Sequence, residues 1–399
     1  MTVPNERAGI YRDEQGNELD AQQAGTVTYV EVKDIPAMGT GTIIFEEKKA
    51  EETEAEFTIC GKNIETPYYS MSMNGYGQIT RLYDKTFARD VLPKGERANV
   101  FQMFEDKPLD NDAWDIDIFY QEKMREITDM TKFEVIECGP LQMKIHMEWN
   151  YMNSFIAQDM VLYRNTRRID FRTTVDYHEQ HQLLKVAFPV DIRSTFGTYD
   201  VQYGNVRRPN HWNTSWDQAR FESVAHRWAD LSERNYGVSL LNDCKYGHDI
   251  KDNVIRMSLL KAATHPDHLQ DQVCMSLPMH YFLMAEILLR SCVQEAYALN
   301  DPMLVVHGIS DLGYESFVRF DNDQIELDAV KKSEDGDYIV IRFHEFAGSA
   351  QNVTVYPGFH FKSWVECDLR ERPVGSVSQE KEIHLSMHAY EIKTVLVQL

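Results

Sequence analysis

From Phe57 onward the chain is a succession of short strand-like runs: FTIC, YYSMSM, QITRLYD, KFEVIE, LQMKIHMEW, FIAQDMVLY, RIDFRTTVDY and LLKVAFPVDI. Along most of them apolar and polar residues alternate, which turns one face toward a core and the other toward water. Turn signals such as Asn74–Gly75 and Gly139–Pro140 separate them. Few stretches of ten residues carry helical spacing. Many short strands between such turns predict an all-β chain, built as a large antiparallel β-sandwich with smaller flanking β-domains. The pattern continues in SFVRFD, GDYIVIRFHEF, NVTVYP and EIKTVLVQL, and TVTYVEV shows it near the N-terminus.

The expected division is 1–48 as the end of a small β-domain, 49–56 as a charged linker, 57–300 as the large sandwich and 301–399 as a last sandwich segment. Sixty-three acidic against 41 basic residues leave a formal charge of −22, which repels nucleic acid and anionic membranes and suits neutral ligands such as sugars. No apolar run reaches the ~18 residues of a membrane span, and MTVPNERAG lacks a signal-peptide core. The six cysteines form no CxxC pair, so zinc-finger spacing is absent. They read as scattered buried thiols of a reducing, cytoplasmic protein.

Tyr203–His248 departs from this regularity. Its first half, YGNVRRPNHWNTSWDQAR, follows neither strand nor helix spacing and reads as a functional loop. Beyond Ala225, Trp228, Leu231, Val238, Leu240 and Leu241 anchor two expected strands across a turn at Glu233–Gly237. No GxSxG, P-loop or dinucleotide fingerprint occurs. His178 and His181 lie three apart without a matching carboxylate–histidine pair, and His344–Glu345 lacks the second histidine of HExxH. No catalytic residue and no metal ligand is assigned in this chain.

The block YGNVRRPNHWNTSWDQARFE, followed by AHRWADLSE and YGVSLLNDCKYG, resembles the C-terminal half of glycoside hydrolase family 38, the retaining α-mannosidases. GYGQITRLYDK, FEDKP, NDAWDID, CGPL, RRIDFRTTVDYHE, LLKVAFPVDI and YIVIRFHE resemble it too. The resemblance implies a supersandwich of the galactose-mutarotase-like kind. It implies hydrolysis of terminal α-mannose by a zinc-dependent enzyme whose ion, nucleophile and acid/base sit on an N-terminal barrel. No such barrel is found here, so the isolated chain is expected to be inactive, to partner its own barrel and to complete the pocket for α-mannosides. The rival reading is a stand-alone carbohydrate-binding or scaffold β-protein. A homo-oligomer stays open.

Two stretches are candidates for touching sugar. In Asn111–Asp117, Trp114 between Asp112 and Asp115 offers a ring for a sugar's C–H face and carboxylates for its hydroxyls; a Trp packed on the sandwich beside solvated acids is the other reading. In the second block, Arg208, His211 and Asn213 either reach the barrel's pocket or anchor a domain contact. Asp243, at the end of the strand VSLL, either lines the pocket or caps a turn.

Val273–Cys292, VCMSLPMHYFLMAEILLRSC, breaks the resemblance. Read one nucleotide over, permitted codons of the same stretch give MHVFTYALLPHGGD, which matches the family's strand. Two compensating frameshifts are the expectation here, against a genuine apolar strand or helix.

Overall fold

Met143, Ile145, Met147 and Trp149 are buried while Lys144, His146 and Glu148 between them reach toward solvent, so the strand Gln142–Tyr151 obeys the period of two that its sequence announces. The computed structural model describes residues 1–4, 9–48, 54–272, 274–284, 288–308 and 316–399. Among these, antiparallel sheets dominate, as the alternation predicts.

A nine-stranded sheet runs, in spatial order, Asp129–Cys138, Gln142–Tyr151, Ser154–Tyr163, Ile169–Asp176, Cys274–Met284, Tyr236–Asn242, Trp228–Glu233, Phe196–Val201 and Gly204–Pro209. A six-stranded sheet runs Met124–Glu126, Val100–Glu105, Gln182–Pro189, Val254–Lys261, Gly247–Lys251 and Ser223–Val224. Met143, Phe171 and Leu240 of the first share one core with Val186, Phe188 and Ile255 of the second. Each such side chain, fully buried, stabilises the sandwich by about 1.5–3 kcal/mol. A five-stranded sheet between Thr58 and Asp90 adds Ile64, Met71 and Leu82 to the same core.

Two three-stranded sheets occupy the N-terminal residues. Gln22 ties them to the large sandwich: its Oε1 accepts from the amides of Leu141 at 2.8 Å and Gln142 at 2.9 Å. At the other end, three- and four-stranded sheets enclose Ile341, Phe343, Val355 and Val395. Residues 49–53 of the expected linker lie outside the described residues.

The structure corrects three local expectations. Gly204–Pro209 is a strand, paired among the described residues only with Phe196–Val201. As an edge strand it needs no continuous apolar face, which hid it among polar residues. Leu288–Asn300 is a helix. It covers the outer side of the nine-stranded sheet by packing Cys292, Val293 and Ala296, spaced as one helical face, on Trp228 and Leu241. All six cysteines are free, but Cys60, Cys138, Cys244 and Cys274 are exposed rather than buried.

The two strands expected around Glu233–Gly237 are present, with Trp228 opposite Leu241 and Leu231 opposite Val238. Part of the Tyr203–His248 block docks the C-terminal sandwich. Asn205 donates to the Phe346 carbonyl at 2.9 Å, Arg227 donates to Glu326 at 2.8 Å, and the Tyr203 ring meets His344 edge-on at 5.5 Å.

Candidate functional site

Because Leu184, Val186 and Phe188 point into the core, Leu183 and Lys185 must point to the opposite face of the six-stranded sheet. Lys185 is nonetheless fully buried there. Its ammonium pairs with Asp249 at 2.5 Å and with Glu222, and lies 3.2 Å from the Tyr120 hydroxyl. Arg256, directly across from Asp249 in the ladder, donates to it at 2.8 Å. Tyr120 donates to Glu222 at 2.5 Å. Two cations thus face two anions, and Tyr120 of the 3-10 turn Ile118–Glu122 closes over them with Ile116 and Phe221.

The electrostatics follow from this packing. Burial alone would lower the Lys185 ammonium; Asp249 and Glu222 outweigh it and hold it above its ordinary value, so it stays charged. Burial pushes the Glu222 carboxyl up against the pull of Lys185. Burial also drives the neighbouring His248 down to about 4, so its ring is neutral at pH 7, with Nδ1 3.2 Å from the Tyr246 carbonyl.

A cavity of about 710 Å³ opens beside this network. Ile116, Val224 and Tyr246 give it apolar wall; Arg208, Glu222 and Lys245 give it polar groups. Arg208 lies against the Tyr199 ring, 4.6 Å from its centre, and donates to the Val224 carbonyl at 3.0 Å. Burial, joined by nearby Arg220, holds its guanidinium below its ordinary value. Donors and an acceptor between apolar walls suit a polyhydroxylated ligand, whose hydroxyls and C–H faces need both. Glu222 and Asp249 are both engaged by Lys185, so the arrangement supplies binding groups rather than a free nucleophile.

The segment Asn111–Asp117 contributes Ile116 to this cavity, and its other residues diverge. The amides of Trp114 and Asp115 both donate to the Asn111 carbonyl, at 2.7 and 3.0 Å, in a tight turn with Asn111 at φ 55°. Trp114 stands 68% exposed. Asp115 is exposed and accepts from the Asn111 amide side chain at 3.1 Å. Asp112 turns inward instead: one oxygen accepts from the backbone of Thr264 at 2.7 Å and of His265 at 3.2 Å. Burial would raise this carboxyl, but those bonds and His181 outweigh it and leave it below the ordinary value.

Arg208 lines the cavity; His211 and Asn213 do not. They line a separate groove of about 1150 Å³ with Arg207, Asn210 and Arg234. There His211 Nδ1 accepts from the Asn213 amide at 3.4 Å. Asp243 is exposed in the turn after Tyr236–Asn242, two residues before Lys245 of the cavity wall. His178 is exposed beside Asp176 at 2.9 Å. Lys185, Glu222, Asp249 and Arg256 escaped the sequence reading. The signal was a lysine inside the apolar run LLKVAFPV, in the opposite phase from the core residues. Among the described residues one trio has ligand atoms close enough to hold a metal: Glu326, Asp328 and His344, within 4.8 Å of one another. No helix among the described residues is long and apolar enough to cross a membrane.

Comparison with known proteins agrees over both sandwiches. The model of the glycosyl hydrolases family 38 C-terminal domain matches residues 64–269, and that of the family 38 C-terminal beta sandwich domain matches 324–395. Alpha-mannosidase G of Dictyostelium discoideum is 34% identical over 353 residues, covering 83% of this chain and 32% of that protein. Human alpha-mannosidase 2C1 is 32% identical over 339 residues, covering 81% and 32%. The crystal structure of an alpha-mannosidase from Enterococcus faecalis V583 superposes with a TM-score of 0.76 at 13% identity, covering all of this chain and 53% of that one, which shows a shared fold. The chain spans about a third of the length of the curated relatives it matches. It belongs to glycosyl hydrolase family 38, of whose α-mannosidase-related members it carries the C-terminal part.

Proposed function

We propose that this chain is the non-catalytic C-terminal region of a retaining, zinc-dependent α-mannosidase that removes terminal α-mannose from oligosaccharides in the cytoplasm. It completes the substrate pocket and stabilises an upstream catalytic barrel. The observation that carries the reading is the 34% identity to an alpha-mannosidase over 353 residues, covering 83% of this chain.

The cavity beside Lys185 supports the pocket role, with Arg208 and Glu222 as hydroxyl partners and exposed Trp114 as a stacking surface. The zinc would supply an anchor for sugar hydroxyls and for the nucleophile. The cavity is not built to hold it: Glu222 and Asp249 are taken by Lys185, and His248 is fully enclosed. This chain's part is therefore to bind, orient and exclude water.

Hydrolysis of a chromogenic α-mannoside with added zinc tests the reading, with this chain beside one extended through the upstream gene. Activity confined to the extended protein is the expected result. Activity in this chain alone would overturn the assignment. Saccharide binding by this chain with no activity in either protein would favour a stand-alone binding module.

A further inference from the structure

Where Ile325–Lys332 pairs with Tyr338–Glu345, Glu326 lies directly opposite His344, and the register shifts between Leu327 and Ala329. Such a bulge leaves one residue outside the ladder and re-aims its side chain. Here that residue is Asp328, whose Oδ1 lies 2.9 Å from His344 Nδ1. A carboxylate at this distance fixes the proton on Nδ1, because the other neutral tautomer would set two lone pairs against each other. The lone pair of Nε2 is then left facing outward.

His344 is 2% exposed, and its Nε2 has no hydrogen-bond partner. Glu326 Oε2 lies 3.9 Å from it. Glu326 Oε2 takes a long 3.4 Å bond from Arg227 Nη2, whereas Nε2 faces it across a buried gap with no donor of its own, a costly arrangement unless a cation fills it. The surrounding charge points the same way. Asp200, Glu326 and Asp328 are three carboxylates around one guanidinium, Arg227, which reaches Asp200 at 3.1 Å and Glu326 at 2.8 Å. His226 approaches Asp200 only at 4.0 Å. Three carboxylates against one guanidinium leave the junction rich in negative charge.

We propose that His344 Nε2 and Glu326 Oε2 hold a divalent transition-metal ion of the zinc class at the junction of the two sandwiches. Asp328 orients the imidazole, and Arg227 holds Glu326 chiefly through Oε1 at 2.8 Å, with a looser 3.4 Å bond to Oε2. An imidazole ligand selects zinc, cobalt or nickel over magnesium and calcium. Metal bonds of about 2.0–2.1 Å span a 3.9 Å gap at a wide angle, and a tetrahedral site draws the two atoms together by about half an ångström. Water completes the shell. A divalent charge cancels the local excess, so the ion fastens Arg227 of the large sandwich to the C-terminal one.

Equilibrium dialysis of the chain against zinc, read by elemental analysis, tests this. One tightly retained equivalent is expected, absent from His344→Gln and bound about 10–100-fold more weakly by Asp328→Asn, which loses only the orienting carboxylate. Zinc retained equally by His344→Gln, or not retained by the native chain, overturns the proposal. If His344→Gln does not fold, ¹⁵N resonances of the native ring decide. A zinc-dependent shift of Nε2 is expected; a ring carrying protons on both nitrogens and indifferent to zinc means that a proton fills the gap.

Discussion

Lys185 Nζ lies 2.5 Å from Asp249 Oδ2 on the face of the six-stranded sheet opposite the main core. The same ammonium serves Glu222. Removing one partner of a buried ion pair strands the other, at a cost of about 3–5 kcal/mol. Lys185→Met should destabilise the large sandwich by that amount in urea unfolding followed by the fluorescence of buried Trp149 and Trp228. Adding Glu222→Gln should recover part of it, since Asp249 keeps Arg256. A loss below about 1 kcal/mol for Lys185→Met would mean that the charge network is not what holds this face together.

Two buried groups pull the pH dependence of stability in opposite directions. Asp230 is enclosed, accepting from the hydroxyls of Ser232 at 2.6 Å and Ser239 at 3.0 Å, and burial raises its carboxyl to about 6. In the unfolded chain it titrates near 3.9. Its stabilising share is complete below that value and is lost as pH rises to about 6, by about 3 kcal/mol. His248, lowered to about 4 by burial against roughly 6.5 unfolded, behaves oppositely: its share is complete above 6.5 and is lost as pH falls toward 4. Asp230→Asn removes the first slope. The variant should melt higher than the parent at pH 7 and lose stability more steeply between pH 6 and 4. Parallel melting-temperature profiles for the two proteins would refute the assignment.

Much of this fold was legible because strand alternation is a local signal. Met143, Ile145, Met147 and Trp149 declare one face of one strand without reference to anything distant. The site was less legible because it is assembled across sequence. Lys185, Glu222 and Asp249 are separated by 37 and then 27 positions, taken as differences of their numbers, and meet only through the sheet order. Gly204–Pro209 was hidden because an edge strand can be polar, and the Leu288–Asn300 helix because it covers a β-sheet with small residues such as Ala296. Arg208 was found by residue type within the distinctive block. His211 and Asn213 came with it although the structure turns them to another groove.

Trp114 and Asp112 lie two residues apart and should separate binding from architecture. Trp114 is 68% exposed, so Trp114→Ala should leave the melting temperature nearly unchanged while lowering kcat/KM for α-mannosides in the extended protein about 2–13-fold, the worth of one lost stacking ring. Asp112→Ala frees the Thr264 and His265 amides and should cost about 1–3 kcal/mol, with faster hydrogen exchange at both. If Trp114→Ala instead destabilises the chain and spares kcat/KM, the ring is a packing element for a neighbouring domain.

The strand Cys274–Met284 gives the reading-frame question a structural form. It lies inside the nine-stranded sheet, between Ile169–Asp176 and Tyr236–Asn242, and its register places Pro278 opposite Arg172. Proline has no amide proton and is confined almost wholly to edge strands and bulges. In the shifted reading the codons spanning Pro278 encode Thr and Tyr, both strand formers with a donor to offer. Val273 and residues 285–287 lie outside the described residues. The mass of the tryptic peptide ending at Arg290 shows which reading the cell translates. If it is the written one, replacing 273–286 by the shifted sequence should raise the melting temperature, because Thr and Tyr suit an interior strand better than proline. A lower melting temperature for the replaced chain would show that the sheet has repacked around the written strand.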